Sequence, residues 1–298
     1  MTQPFVPRVM LAYDGSPASG ATFEVAAALL PRAHATVVHL WTPPFASETL
    51  RRRLWHGTRR VDDFVVAIER EGAAEAARLA AMGVTLARAV GWPAEPMVER
   101  AYGGEGLQLA ELAEKLGPDV VVLGSRGLTG ARAVLGSVSD MAVHYLPQPA
   151  LVIPCPLLTA ERVALATGPV LVGWDGSPGA RAAAQAAERI FAGRRIALVA
   201  VRDGSPAPAA PPGRPRIVAD VPAGHAATSR AVAEALATTA AEQHAAVVVV
   251  GSRGRSALRE IVLGSVAMAT LHQSVRPVLV VPDAAAEHSA ARDGASDH

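Results

Sequence analysis

Two glycine-punctuated stretches carry the residues best suited to chemistry: "VVVLGSRGLTGARAVLGSVSD" near the middle and "VVVVGSRGRSALREIVLGSVAM" about 130 residues later. In the second, Gly251 and Gly254 let the backbone approach an anion with no Cβ in the way. Nine residues further on, Gly264-Ser265 opens an alanine- and leucine-bearing run with helical spacing. The free N–H groups and positive dipole end of such a helix favour phosphate, and Ser265 adds a hydroxyl. Arg253 can add charge, although a loop arginine is as readily solvated. The first stretch repeats the pattern with Gly124, Arg126, Gly127 and Gly136-Ser137, but only eight residues separate Gly127 from Gly136. Neither stretch is a phosphate loop of the Gly-Lys-Ser/Thr kind, and neither is the GxGxxG of dinucleotide folds. Plain strand-to-helix turns would also use such glycines; their repetition in two divergent copies weakens that reading.

A second repeated element precedes each stretch. "VMLAYDGSPASGATFEVAAALL" and "VLVGWDGSPGARAAAQAAERI" each run from a short apolar segment through Asp-Gly-Ser-Pro into an alanine-rich stretch. Ser16 and Ser177 suit a helix N-cap, and Pro17 and Pro178 suit the first helical position, where a missing N–H costs nothing. Asp14 and Asp175 close the turns. Three other features read as structural. His144 and His272 recur at the same helical place, but no second His, Cys or acidic residue stands at ligand spacing, so no metal site is expected. Cys155 in "IPCPL" has no flanking cation or histidine and reads as inert. Ser137 heads "SVSD", a capping-box pattern with Asp140 that competes with phosphate for its hydroxyl.

The elements that must hold these groups also come in pairs. "TVVHLW" and "IALVAV" read as second strands, "DVVVLG" and "AVVVVG" as the strands leading into the glycine loops, and "PALVIP" and "PVLVVP" as closing strands. Continuous Val/Leu/Ile runs alternating with helices predict open parallel sheets covered on both faces, five strands in each of two copies. In such a sheet, ligands bind beyond the carboxyl ends of the strands, where strand order reverses. The copies differ in length: Asp14 to Gly124 spans 110 residues, Asp175 to Gly251 only 76. The first carries an arginine-rich segment, Glu48 to Arg60, and a helix in "VDDFVVAIEREGAAEAARLAAMG". The second carries "DGSPAPAAPPGRPR", whose prolines exclude a helix. Expected domains are 1–157 and 168–283, linked around Leu158 to Gly168, with a disordered tail over 284–298.

Composition narrows the function classes. The 298 residues include 28 basic and 27 acidic side chains, and no long block of like charge suggests a nucleic-acid footprint. One cysteine excludes an internal disulfide and fits a reducing compartment. No apolar run reaches the length of a membrane span. A cytoplasmic protein, with neither nucleic acid nor membrane as partner, is the expectation.

With these residues in place, the chain resembles the tandem universal stress proteins, in the subgroup whose nucleotide motif is G-x2-G-x9-G-[S/T]. The resemblance covers about residues 6–155 and 168–283. The motif is complete in the second half and one residue short in the first. It implies two Rossmann-like units of the adenine nucleotide alpha hydrolase type and ATP as ligand, with Mg²⁺ an optional companion. It further implies an intrachain pseudo-dimer through the closing strands, with a homodimer of whole chains as an option. Residue by residue, it implies that Asp14 and Asp175 contact the adenosine portion and that Leu40 and Val201 line the adenine pocket. Leu123 and Val250, just before the first motif glycines, would pack or offer backbone groups. Val138 and Val266 follow the Gly-Ser pairs. No residue is equipped as a general base or arginine finger, so a regulatory binder, with at most slow ATP hydrolysis, is expected. Two rivals are an adenylating enzyme of the related ATP-pyrophosphatase type and a non-binding dimerisation module. The first needs Ser-Gly-Gly-x-Asp-Ser after the first strand, where this chain reads "YDGSPAS" and "WDGSPGA". Two expectations follow: the arginine-rich segment closes over the first-half phosphates, and the second site, with its full-length loop, binds ATP at least as tightly as the first.

Overall fold

The computed structural model describes residues 5–44, 60–125, 135–202, 206–221, 228–252 and 263–283. The first half contributes β1 (Arg8–Ala12), α1 (Pro17–Leu29), β2 (His34–Trp41), α2 (Val61–Ala89), β3 (Ala94–Arg100), α3 (Glu105–Leu116), β4 (Val120–Gly124), α4 (Ser137–Tyr145) and β5 (Ala150–Ile153). The helix α5 (Thr159–Thr167) follows. The second half contributes β6 (Val170–Gly173), α6 (Pro178–Ile190), β7 (Ile196–Arg202), β8 (Arg216–Asp220), α7 (Ser229–Glu242), β9 (Val247–Gly251), α8 (Ser265–Gln273) and β10 (Val278–Val281).

The two parallel sheets join into one of ten strands, in the order β3-β2-β1-β4-β5-β10-β9-β6-β7-β8. The join is the single antiparallel pairing: β5 lies against β10, with Leu151 opposite Leu279 and Val152 opposite Val278. "PALVIP" and "PVLVVP" are thus side by side, as expected, and two apolar edges that would otherwise template aggregation are sealed against each other. Because the pairing is antiparallel, the carboxyl ends of the first-half strands and of the second-half strands lie on opposite edges of the sheet.

Alternation along each strand fills two cores. Val9, Leu11, Val120 and Val122 face α1, α2 and α6, whereas Met10, Val121 and Leu123 face α3, α4, α7 and α8. Both faces are apolar, which is why the central strands read as unbroken hydrophobic runs.

Three elements were not singled out by the sequence. The outermost strands β3 and β8 carry only exposed and half-buried residues, in strict alternation along β8, and β3 contains Pro96, which an edge strand tolerates. The link between halves is the helix α5, whose Leu165 enters the core. Arg194 fastens this region: its Nη2 donates to the carbonyls of Ala28 (2.6 Å), in the last turn of α1, and Leu165 (2.8 Å), in the last turn of α5. A cation there also meets the negative ends of both helix dipoles. The crossovers differ as the prolines require: α2 fills the first, and residues 206–215 carry neither helix nor strand in the second.

Candidate functional site

At the end of β1, Tyr13 still pairs with the sheet through Val38 (2.9 Å), and the chain turns away at Asp14. Gly15 takes φ 81°, a left-handed value that glycine adopts without Cβ strain. Ser16 is the N-cap of α1, its side chain accepting from the Ser19 N–H at 3.2 Å, and Pro17 occupies the first turn. Asp14 braces the turn through Oδ1, which accepts from the Ser16 N–H (2.9 Å) and the Ser19 hydroxyl (2.6 Å). Partial burial by itself would raise this carboxyl, but the hydrogen bonds from Ser16 and Ser19 outweigh it and hold Asp14 below its usual range. The second half repeats the turn. Asp175 accepts from the Ser177 N–H (2.9 Å), Ser177 caps α6 through the Ala180 N–H (3.1 Å), and Gly176 takes φ 76°. The counterpart of Ser19 is Ala180, which has no hydroxyl to offer the aspartate.

Beside this turn, β4 ends at Leu123-Gly124 and α4 begins at Ser137. Between them and β2 lies a cleft of about 230 Å³, whose lining includes Asp14, Leu40, Leu123, Gly124, Ser137 and Val138. Seven of the expected first-half residues therefore meet in one place, these six and Gly136. Leu123 is buried, Leu40 and Val138 are half-buried, and Ser137 is exposed. The N-cap of α4 is Gly136, with no side-chain cap, and Ser137 is already the first helical residue. The capping-box expectation is thus corrected: the Ser137 hydroxyl does not cap its own helix. Arg126, Gly127, Arg253, Gly254 and the arginine-rich segment up to residue 59 lie outside the described residues, as does the tail from 284.

Among the cleft residues that were not foreseen, two bear on its chemistry. Ser125 is 4 % exposed, and its hydroxyl has no hydrogen-bond partner among the described residues. Its N–H is spent on the Ile153 carbonyl (2.8 Å), and the neighbouring Gly124 carbonyl accepts from the Ser139 hydroxyl (2.8 Å). A buried unpaired hydroxyl is costly, so its place in the cleft wall calls for a polar partner from a ligand or water. The signal was available, since Ser125 stands between the first two motif glycines. Glu105, in the first turn of α3, also lines the cleft. Nothing in the repeat pointed to it.

In the second half, the matching residues gather at the opposite sheet edge with different packing. Val250 is buried, Val201 and Val266 are partly buried against the core, and Gly264 is the N-cap of α8. Gly251 lies hard against α6: a Cβ there would stand 2.6 Å from both the carbonyl carbon and the oxygen of Gly179. Gly124 has more room, the nearest atom to such a Cβ being Thr22 Cγ2 at 3.3 Å. The Ser265 hydroxyl is 2.7 Å from that of Ser229, so the first helical residues of α7 and α8 touch. His144 keeps a structural contact, its Nδ1 lying 2.7 Å from the Asp140 carbonyl. Among the described residues, no helix is long and apolar enough to cross a membrane.

Parallel half-sheets joined through their last strands, each with an aspartate turn after its first strand, define a tandem Rossmann-like protein. The model of the universal stress protein family matches residues 6–154 and 219–282, and the chain belongs to that family. Residues 155–218 lie outside the match, yet β6, α6 and β7 fold as β1, α1 and β2 do. A universal stress protein from Archaeoglobus fulgidus DSM 4304 is similar in fold at 18% identity, covering 93% of this chain and 98% of its own, with a TM-score of 0.66. A functionally unknown protein from Pseudomonas aeruginosa PAO1 is similar at 13% identity, covering 96% of this chain and 98% of its own, with a TM-score of 0.58. No curated protein matches the sequence.

Proposed function

We propose that the chain is a cytoplasmic regulator that binds adenine nucleotide, ATP foremost, at the carboxyl ends of both half-sheets. The observation that carries the reading is the first-half cleft. It joins a braced carboxylate, Asp14, an apolar wall from Leu40 and Leu123, an orphaned buried hydroxyl, Ser125, and the uncapped amino terminus of α4 at Ser137. The apolar wall suits a base, the carboxylate suits ribose or adenine donors, and the helix end suits phosphate. Arg126 and Gly127 belong to the same phosphate loop in this reading. In the second half the same roles fall to Asp175, Val201, Val250, Gly251, Arg253, Gly254, Gly264, Ser265 and Val266. Neither α7 nor α8 carries an acidic residue in its first turn, which supports the view that the second site holds ATP at least as tightly as the first. The units are 1–157 and 168–283, and Mg²⁺ would accompany the phosphates. Regulation rather than turnover fits a cleft that offers carboxylates and hydroxyls but no positioned cation among the described residues lining it.

Equilibrium dialysis of the purified chain against labelled ATP tests this. Saturable binding that Gly136→Val and Gly264→Val each reduce is expected. No binding up to millimolar ATP would refute the reading and leave the dimerisation module. Pyrophosphate exchange is expected to be absent; its presence would favour the adenylating enzyme.

A further inference from the structure

At each sheet edge two helix amino termini meet, and the halves charge them differently. In the first half, α3 carries Glu105 and α4 carries Asp140 in the first turn. In the second, the first turns of α7 and α8 hold no acidic residue. The left-handed residues that follow α3 and α7, Gly117 (φ 55°) and His244 (φ 48°), set the correspondence. Counting back from them, Glu105 answers to Val232 and Gly106 to Ala233.

Glu105 is held at the cleft by packing. Gly106 sits so close to α4 that a Cβ would lie 2.6 Å from the Val138 carbonyl oxygen and 2.9 Å from the Ala142 nitrogen. The first turns of α3 and α4 therefore adjoin, and Glu105 shares the cleft with Ser137, Asp14 and the orphaned hydroxyl of Ser125. An anion drawn to the Ser137 end meets donors on one side and the Glu105 carboxylate on another.

We propose that Glu105 sets the charge selectivity of the first-half cleft, admitting nucleotides whose phosphate charge is small or is neutralised by a divalent cation and disfavouring free triphosphate. The inference rests on the nucleotide reading above. The second half, with Val232 in this place, takes free triphosphate without that penalty. Across a partly wet cleft, repulsion between one carboxylate and the additional phosphate charges amounts to about a tenfold loss of affinity.

The test uses the full chain carrying Gly264→Val, which disables the second site, in calorimetric titrations with AMP, with ATP in EDTA and with ATP in excess Mg²⁺. AMP and magnesium-bound ATP are expected to bind, and ATP in EDTA to bind about tenfold more weakly than with Mg²⁺. Glu105→Gln should remove most of that gap by strengthening binding in EDTA, while Glu105→Asp, which keeps the charge, should preserve it. ATP binding equally with and without Mg²⁺, or a gap that survives Glu105→Gln, overturns the inference and leaves the nucleotide reading standing. Failure of all three ligands to bind overturns both.

Discussion

In the first half a Cβ on Gly124 would stand 3.3 Å from a threonine methyl, a contact tight by a few tenths of an ångström, whereas in the second the end of β9 is pressed onto the α6 backbone at Gly179. The two glycines occupy the same motif position, sit after near-identical strands and face equivalent helix backbone, Ala18 in α1 and Gly179 in α6, but a Cβ would lie 3.6 Å from the Ala18 oxygen and 2.6 Å from that of Gly179. At Gly251 the missing Cβ is required for helix-on-strand packing, with or without a ligand. At Gly124, which lines the cleft, a Cβ would meet side chain before backbone. A glycine shared by both halves therefore does not by itself mark a phosphate contact. The aspartate turns teach the same lesson, since Asp14 gains a hydroxyl contact from Ser19 where the second half has Ala180.

The sharpest way to break this comparison is to add one methyl group to each glycine. Gly251→Ala drives a Cβ into backbone that cannot rotate away, and a loss of about 3 kcal/mol is expected. Gly124→Ala should cost less than about 1 kcal/mol, because its nearest contact is a threonine methyl. Urea denaturation of both variants reads the difference; equal losses would show that the halves are packed alike after all.

Arg194 has no counterpart in the first half, where the matching position is Ala33. Arg194→Ala removes charged hydrogen bonds to the Ala28 and Leu165 carbonyls, and about 2 kcal/mol of stability should go with them. A fully neutral effect would show that the β5–β10 pairing and the shared core hold the halves together without Arg194.

A smaller effect separates the two aspartate turns. Asp14 is held below the usual carboxylate value of 3.8, so its folded form gains stability that is complete above that value. The gain is lost as pH falls through the lower folded value. Asp14→Asn should therefore be less stable than the wild type near pH 6, by about 0.5 kcal/mol given the exposure of the group, and the difference should shrink towards pH 2. A gap independent of pH would assign the loss to turn geometry rather than to charge. An effect of similar size is expected at His244, the only non-glycine residue with positive φ among those described. His244→Gly, matching Gly117 of the first half, should raise stability by about 0.5 kcal/mol in thermal melts.

Much of this was legible in the sequence because it is local. The caps at Ser16 and Ser177, the prolines after them and the helix-free second crossover follow from turn chemistry and proline, whereas the meeting of β5 with β10 was expected from the family resemblance and from two apolar edges that need cover. What escaped detection depends on neighbours distant in the chain. The edge strands β3 and β8 lack the continuous apolar run that marks a strand buried on both faces. Glu105 reaches the cleft only because Gly106 lets α3 close on α4, and Ser125 becomes an unpaired hydroxyl only once β4, β5 and α4 have packed around it. Of the expected phosphate-loop residues, Arg126, Gly127, Arg253 and Gly254 are not among those described.

The most direct measurement is a crystal structure of the chain grown with saturating ATP and Mg²⁺. Nucleotide density is expected in the first-half cleft, with the Ser125 hydroxyl within hydrogen-bond distance of the ligand and phosphates at the amino terminus of α4 beside Ser137. A cleft filled only by water at saturating ATP, or nucleotide bound away from Asp14, Ser125 and Ser137, would contradict the nucleotide reading.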